Sequence, residues 1–144
     1  MALEGKPIDP GIPVDERIEA AIRSRLEEGN LPCAAACELA EALGVPPAAV
    51  GLAADRLRIH LARCQLGLFR YPERGKGWER ADVAGLPVPD GLEEALAAVG
   101  HERGEISCER LWQEARRFGV TRLQVGWLAD RLGLKIRDCP LGAF

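Results

Sequence analysis

The feature that most constrains this chain is a pattern of about 50 residues that occurs twice. Sliding the 144-residue sequence by 144 − 69 = 75 positions aligns Glu19–Phe69 with Glu94–Phe144 without a gap, and 18 of the 51 pairs are identical. The closing phrases "DRLRIHLARCQLGLF" and "DRLGLKIRDCPLGAF" show the likeness best. Such agreement indicates a duplicated structural unit. A unit of this size buries little surface alone, so we expect the two copies to pack on each other.

The composition is that of a soluble globular protein. Hydrophobic residues make up 47% and charged residues 28%, with a formal net charge of −3. This charge argues against a dedicated nucleic-acid binder, which usually carries a basic domain. The N-terminus lacks the apolar core of a signal peptide, and no stretch reaches the roughly 18 apolar residues of a membrane span. We therefore predict a cytoplasmic protein with no membrane partner.

Within each copy the pattern is helical first. In copy one, Asp15 is a plausible N-cap for a helix that runs to about Glu28 and ends at Gly29-Asn30. A second helix is predicted from about Cys33 to Leu43, where Gly44 stops it, and a third from Pro46 to about Leu57. The corresponding helices of copy two are predicted at about 91–101, 108–118 and 122–132.

After the third helix the periodicity changes to that of a strand. Ile59 and Leu61 alternate with polar neighbours, and the alternation resumes at Cys64, which predicts a short hairpin with Arg63 near its turn. In copy two, Pro140 suggests that the second strand is short or lies at an edge. The predicted fold is mainly α with short β-hairpins. The predicted organisation is a tail (1–14), repeat 1 (15–69), a linker (70–90) and repeat 2 (91–144).

Three helices and a hairpin, with a tight turn between the second and third helices, resemble the helix-turn-helix fold in its winged form. The resemblance rests on "ACELAEALGVPPAAVGLAADRL" and "LWQEARRFGVTRLQVGWLADRL". Ala40 and Ala115 supply the small residue that the family places where its two motif helices cross. Gly44 and Gly119 supply the glycine of the turn, which adopts the left-handed conformation easily. Apolar positions of the family pattern fall on Val45, Val50, Ala53, Val120, Val125 and Leu128.

The resemblance implies that bases are read from the exposed face of the third helix. That face would comprise Pro46, Pro47, Ala48, Gly51, Leu52 and Asp55 in copy one, and Thr121, Arg122, Leu123, Gly126, Trp127 and Asp130 in copy two. Copy one offers no Arg, Lys, Asn or Gln there, although these side chains read base edges. Copy two offers Thr121 and Arg122, with Gln124 nearby. Leu52 and Trp127 suit a protein contact better.

The first part of the linker, "RYPERGKGWER" (70–80), is the one basic and aromatic part of the chain. Its four basic residues stand against two glutamates and are interleaved with Tyr71 and Trp78. Those basic residues are Arg70, Arg74, Lys76 and Arg80. Such a segment could follow a phosphate backbone as a basic wing. The alternative is an ordinary solvated linker whose aromatic side chains pack back onto a domain.

The five cysteines do not form a recognisable disulfide or metal framework. Cys33 and Cys108 are equivalent, at the first turn of the second helix, where the helix dipole favours thiolate. Cys64 and Cys139 are also equivalent, so these four are candidates for redox sensing. A metal site formed by Cys33, Cys37, Cys64 and His60 is an alternative, but no C-x-x-C pair supports it. The third interpretation is that the thiols simply fill a core.

The sequence contains no phosphate-binding glycine loop, nucleophile elbow or metalloprotease motif, so we predict neither enzymatic activity nor a cofactor. Two hypotheses of function follow. The first is a regulatory DNA-binding protein, a transcriptional regulator that uses a degenerate tandem helix-turn-helix; its support is family resemblance. The alternative is a protein–protein interaction module, or a self-associating one, that has lost DNA reading. Its support is the negative net charge of the chain and the apolar face of the third helix.

Overall fold

The computed structural model describes residues 14–69, 71, 76–80, 83–101 and 103–144, without the side chains of 79 and 80. The protein is mainly helical with a few short strands. Copy one contains α1 (Glu16–Arg23), β1 (Leu31–Pro32), α2 (Cys33–Leu43), α3 (Pro47–Arg56) and β2 (Leu61–Ala62). After it come α4 (Gly77–Arg80) and a 3-10 turn (Val83–Gly85). Copy two contains α5 (Leu92–Val99), β3 (Glu105–Ser107), α6 (Cys108–Phe118), α7 (Arg122–Arg131) and β4 (Lys135–Arg137).

The middle helices of each copy begin and end as the sequence predicts. α2 and α6 both stop at a glycine in the left-handed region, Gly44 at φ 68° and Gly119 at φ 68°. Each glycine N–H donates back to the end of its helix, which satisfies carbonyls that the helix leaves unpaired. The chain then bends by 117° between α2 and α3. A three-residue break with one left-handed residue is enough to produce this bend.

The first helix is shorter than predicted. Asp15 caps it, accepting hydrogen bonds from the backbone N–H groups of Arg17 and Ile18, but α1 ends at Arg23 rather than at about Glu28. Glu28 and Gly29 both have positive φ, 52° and 81°, and no helix continues through two left-handed residues. The extra residues form a tight turn that lets the chain enter β1.

The predicted hairpins are wrong. β2 pairs with β1 in parallel, Leu31 opposite Leu61, and β4 pairs with β3 in the same way, Ile106 opposite Ile136. The strand that follows the third helix therefore returns to the segment that precedes the second helix, instead of folding back on itself. No second strand follows β2 or β4 in the described residues. Arg63 (φ 46°) and Asp138 (φ 56°) turn the chain away immediately after each strand.

The chain forms two compact units whose boundaries differ from those of the sequence repeats. The first unit comprises residues up to Cys64 together with Pro140–Phe144, and the second comprises Gln65–Cys139. The last five residues of each repeat thus belong to the unit built by the other repeat. We call Gln65–Phe69 the first crossing segment and Pro140–Phe144 the second crossing segment. They occupy equivalent positions in the repeat, since 65 + 75 = 140.

Each unit has its own apolar core, and each core includes one leucine from a crossing segment. Leu141 is buried in the first unit and Leu66 in the second. The first unit's core is formed mainly by Ile18, Ile22, Leu31, Leu39, Val50 and Leu61. The second unit's core is formed mainly by Val83, Leu92, Leu96, Ile106, Leu111 and Val125. The leucines of the crossing segments are therefore core residues as much as those of the helices.

Candidate functional site

The second crossing segment lies directly against α3 at Gly51. A Cβ atom placed on Gly51 would lie 1.8 Å from the carbonyl oxygen of Leu141 and 2.7 Å from its carbonyl carbon. These are backbone atoms of a core residue, so a side chain at position 51 could not be accommodated by a rotamer change. Gly51 is a helical glycine, which on its own weakens a helix. Its presence is explained by the backbone that crosses over it.

The same contact occurs in the second unit with the roles of the two copies exchanged. A Cβ on Gly126 of α7 would lie 1.9 Å from the carbonyl oxygen of Leu66. Gly126 is the repeat equivalent of Gly51, and Leu66 is the repeat equivalent of Leu141. The third helix of each copy therefore holds the crossing segment of the other copy by an identical backbone approach.

The crossing segments share a local shape that depends on a second glycine. Gly67 and Gly142, which follow the buried leucines, have φ of 87° and 78°. Only glycine adopts this conformation without strain. Gly67 is also covered closely, because a Cβ there would lie 2.6 Å from the ring of Trp78. The common sequence Cys-x-Leu-Gly-x-Phe thus encodes a buried leucine and the turn that follows it.

The predicted base-reading residues of copy two are engaged within the second unit. Thr121 caps α7, its hydroxyl accepting from the backbone N–H of Gln124 at 3.2 Å. Arg122 donates to Gln65 Oε1 at 2.8 Å and lies 4.1 Å from the centre of the Trp112 ring. The Gln124 side chain is buried and donates to the carbonyl of Pro87 at 2.8 Å. Base reading by Arg122 or Gln124 would require these bonds to break.

The described aromatic side chains of the linker pack against residues of the linker itself and of the first crossing segment. Trp78 is buried, and Lys76 Nζ lies 6.0 Å from the centre of its ring while donating to the carbonyl of Leu68 at 3.1 Å. Tyr71 lies against Gly77, where a Cβ would approach its ring to 2.4 Å. The predicted contacts Arg70 and Arg74 lie outside the described residues, as does the Arg80 side chain.

Exposed apolar side chains occur on both elements that meet at Gly51. Leu52, the next residue of α3, is 46% exposed, and Phe144, at the end of the second crossing segment, is 43% exposed. Trp127, the equivalent of Leu52, is half-buried and has the Arg131 guanidinium 5.4 Å from its ring centre. Of the two predicted protein-contact residues, Leu52 is therefore the more accessible.

The structure places the four candidate redox cysteines in matching positions, but mostly away from solvent. Cys33 and Cys108 begin α2 and α6, and Cys64 and Cys139 follow the strands paired beside them. Cys33, Cys64 and Cys108 are buried, Cys139 is half-buried, and none of the five cysteines forms a disulfide. In the described part of the chain no three His, Cys, Asp or Glu residues come together as metal ligands. The cluster with His60 considered above therefore does not form.

The second unit contains a polar cleft that the sequence did not reveal. It has a volume of about 500 Å³ and lies where the end of α5 meets β3 and β4. Arg137 of β4 donates to Glu105 of β3 across the strand pair. This hydrogen bond, with the charge of Glu105, raises the pKa of Arg137. The available signal was that the paired strands of copy two carry charge where those of copy one are apolar.

A buried carboxylate distinguishes α6 from α2. Glu114 is only 3% exposed, and it accepts from Arg110 Nε at 3.1 Å and from Arg117 at 3.5 Å. The equivalent residues of α2 are the apolar Ala35, Leu39 and Ala42. The same helix positions therefore carry an ion-pair network in copy two and apolar residues in copy one.

Comparison with known proteins places this chain beside none of them: no family model, curated protein or solved structure matches it. In the described residues no single helix is long and apolar enough to cross a membrane. The pair α2 and α3 meets the length and composition criteria only when taken together across its bend.

Proposed function

We propose that this protein is a non-enzymatic regulatory protein that acts by binding other proteins, and that the third helix of its first unit is a receptor for an extended peptide segment. The observation that carries this proposal is the pair of reciprocal contacts, Gly51 with Leu141 and Gly126 with Leu66. The same receptor glycine and the same ligand leucine meet twice in one chain, although the two copies are identical at only 18 of 51 positions.

The contact favours recognition of a peptide over recognition of DNA. At both sites a carbonyl oxygen of the segment occupies the space of a missing Cβ, so the helix accepts a backbone rather than a base edge. The leucine beside it is buried, which supplies apolar area at about 25 cal/mol per Å². The partner that this surface would take is a protein segment in which a leucine precedes a left-handed glycine.

The exposed neighbours extend this surface. Leu52 follows Gly51 on α3, and Phe144 lies three residues beyond Leu141. Exposed leucine and phenylalanine side chains on the two contacting elements give a partner apolar area beyond the contact at Gly51. On this proposal the second crossing segment is the resident occupant of α3, and it competes with segments from other proteins.

A DNA-binding transcriptional regulator is the second candidate, and one observation favours it. The 117° bend between α2 and α3, with Gly44 in the turn, lies within the range of helix-turn-helix pairs. The described base-reading groups of α7, however, are already bonded inside the second unit. Of the base-reading face predicted in the first unit, only Pro46, Ala48 and Leu52 are exposed.

The test uses the full chain carrying Leu141→Ala, which weakens the resident segment. A fluorescent peptide of residues 138–144 is titrated into this variant and into the unchanged protein. We expect saturable binding to the variant and at least tenfold weaker apparent binding to the unchanged protein, because its own segment competes at high effective concentration. Adding Gly51→Ala to the variant should abolish binding, while circular dichroism reports whether both variants remain folded.

Two controls separate the candidates. A peptide with the leucine replaced by aspartate should not bind, because its side chain could not enter the core. A labelled random-sequence duplex is titrated in parallel at low and at moderate salt, since phosphate contacts weaken steeply with salt. Salt-dependent retention of the duplex, with no binding of the peptide to folded Leu141→Ala protein, would replace the first candidate with the second.

A further inference from the structure

The polar cleft of the second unit is lined by an unusual set of charged side chains. It is open to solvent and holds about 500 Å³ between the end of α5 and the paired strands β3 and β4. Its polar lining is provided by His101, Arg103, Glu105, Ser107, Arg137 and Asp138. These residues lie in the loop after α5, on β3, on β4 and in the turn after β4, and they line one cleft.

Two of the three basic side chains have no acidic partner among the described residues. Arg137 is held by Glu105, and the charge of Asp138 also acts on it. Neither Arg103 nor His101 forms an ion pair or a side-chain hydrogen bond with any residue in the described ranges. Arg137, held by Glu105, lines the cleft with Arg103 and His101, so the three side chains together present several N–H donors to it.

The first unit shows that the fold does not require these charges. Its strands β1 and β2 pair in the same parallel register, with the equivalents of Ser107 and Arg137 being Pro32 and Ala62, both buried. The residue before the turn glycine that both copies share is Glu28 in copy one and Arg103 in copy two. Copy one thus has buried apolar residues at two of these positions and an Arg63–Glu27 ion pair at the turn, whereas copy two has Ser107 and Arg137 at the two positions.

The donors in the cleft suit an oxyanion. Ser107, which lines the cleft, is the N-cap of α6. Guanidinium groups bind phosphate through strong, often bidentate, charge-assisted hydrogen bonds. Glu105 is already engaged with Arg137, so among the described lining residues Asp138 is the carboxylate that would oppose an anion.

From these observations we propose that the cleft between α5, β3 and β4 of the second unit binds a small phosphate-bearing ligand through Arg103, His101 and Arg137. The proposal is independent of peptide binding, because it concerns other residues and the other unit. The phosphate could be free or the terminal group of a phosphate monoester, and both present the same tetrahedral set of oxygens to the cleft.

Removing the charge of Asp138 should strengthen phosphate binding, which gives the proposal a specific test. Asp138→Asn removes the opposing charge and suits the left-handed conformation at this residue (φ 56°), which asparagine tolerates well. It should tighten phosphate binding roughly two- to fivefold, as expected for removing one like charge near the surface. A merely structural role for the cleft would give no such increase.

The experiment is isothermal titration of the full chain with inorganic phosphate and, separately, with glycerol phosphate, at matched ionic strength. We expect saturable binding with one site per chain. Arg103→Gln should weaken it about tenfold, the loss of one charge-assisted contact. Arg58→Gln, which removes the same charge from an exposed position of the first unit, is the matched control and should leave binding unchanged.

The outcomes are separable. Binding of inorganic phosphate alone identifies free phosphate as the ligand, and binding of both probes identifies the terminal group of a larger molecule. Absence of saturable binding by both probes would overturn the proposal. Equal weakening by Arg58→Gln and Arg103→Gln would also overturn it, because the effect would then follow net charge and not the cleft.

Discussion

The carbonyl oxygen of Leu141 lies so close to Gly51 that the Cβ of an alanine at position 51 would be only 1.8 Å from it. In an exposed helix, replacing glycine by alanine stabilises the protein by up to about 1 kcal/mol. At positions 51 and 126 the same replacement should instead destabilise the protein. We expect Gly51→Ala and Gly126→Ala each to lower the free energy of unfolding by roughly 1 to 3 kcal/mol, the cost of an overpacked core. Urea unfolding followed by circular dichroism measures this. A gain in stability from either variant would show that the crossing segments are not seated as described.

Burial of the Gln124 side chain predicts a loss of stability when its amide is removed. Gln124→Ala takes away the hydrogen bond to the carbonyl of Pro87 and removes most of a buried side chain, so we expect a loss of about 1 to 3 kcal/mol. Gln113→Ala, at an exposed position of α6, is the control and should change the unfolding free energy by less than about 0.5 kcal/mol. Similar values for the two variants would place Gln124 at the surface, where a base could reach it.

The ion-pair network of α6 can be replaced by the residues that copy one uses. Glu114→Ala alone should lower the free energy of unfolding by about 1 to 3 kcal/mol, since it leaves a cavity and frees two arginines. The triple change Arg110→Ala, Glu114→Leu and Arg117→Ala restores the apolar set found on α2. It should be neutral or stabilising, because apolar residues often replace a buried ion pair without loss. Thermal unfolding of the single and triple variants tests this, and a triple variant less stable than Glu114→Ala would contradict it.

The burial of the cysteines predicts the order in which they react. Cys37 and Cys139 are half-buried, whereas Cys33, Cys64 and Cys108 are buried. In the folded protein we expect two of the five thiols to react with Ellman's reagent at a measurable rate, and the other three only in urea. Mass spectrometry after partial labelling identifies the reacting positions. Rapid reaction of Cys33 or Cys108 in the native protein would favour the redox interpretation, since reactive thiols need exposure as well as a lowered pKa.

Signals carried by a few neighbouring residues predicted the second and third helices of each copy well. Gly44 and Gly119 ended α2 and α6 where expected, because a left-handed glycine acts on its own turn. The strands were misassigned for the opposite reason. The alternation of apolar and polar residues indicates which face of a strand is buried, but not which strand lies beside it. The partner of Leu61 is Leu31, which lies before two intervening helices in the chain.

The repeat itself concealed two features. Buried residues of the first helices are Ile18 and Ile22 in copy one and Leu92 and Leu96 in copy two, an offset of 92 − 18 = 74 rather than 75. The gap-free alignment therefore fails before Gly29. The exchange of crossing segments was invisible because Leu66 and Leu141 are equivalent. A leucine that fits one third helix fits the other, so the pattern is the same whichever copy supplies it.

The exchange has a consequence for the order of events during synthesis. The first unit's helices leave the ribosome early, but the leucine that covers Gly51 is encoded 141 − 51 = 90 residues later. At translation rates of about 5 to 20 residues per second, this is a delay of roughly 5 to 20 s. The unit whose helices are made first is thus completed last, and throughout that interval its apolar core lacks Leu141.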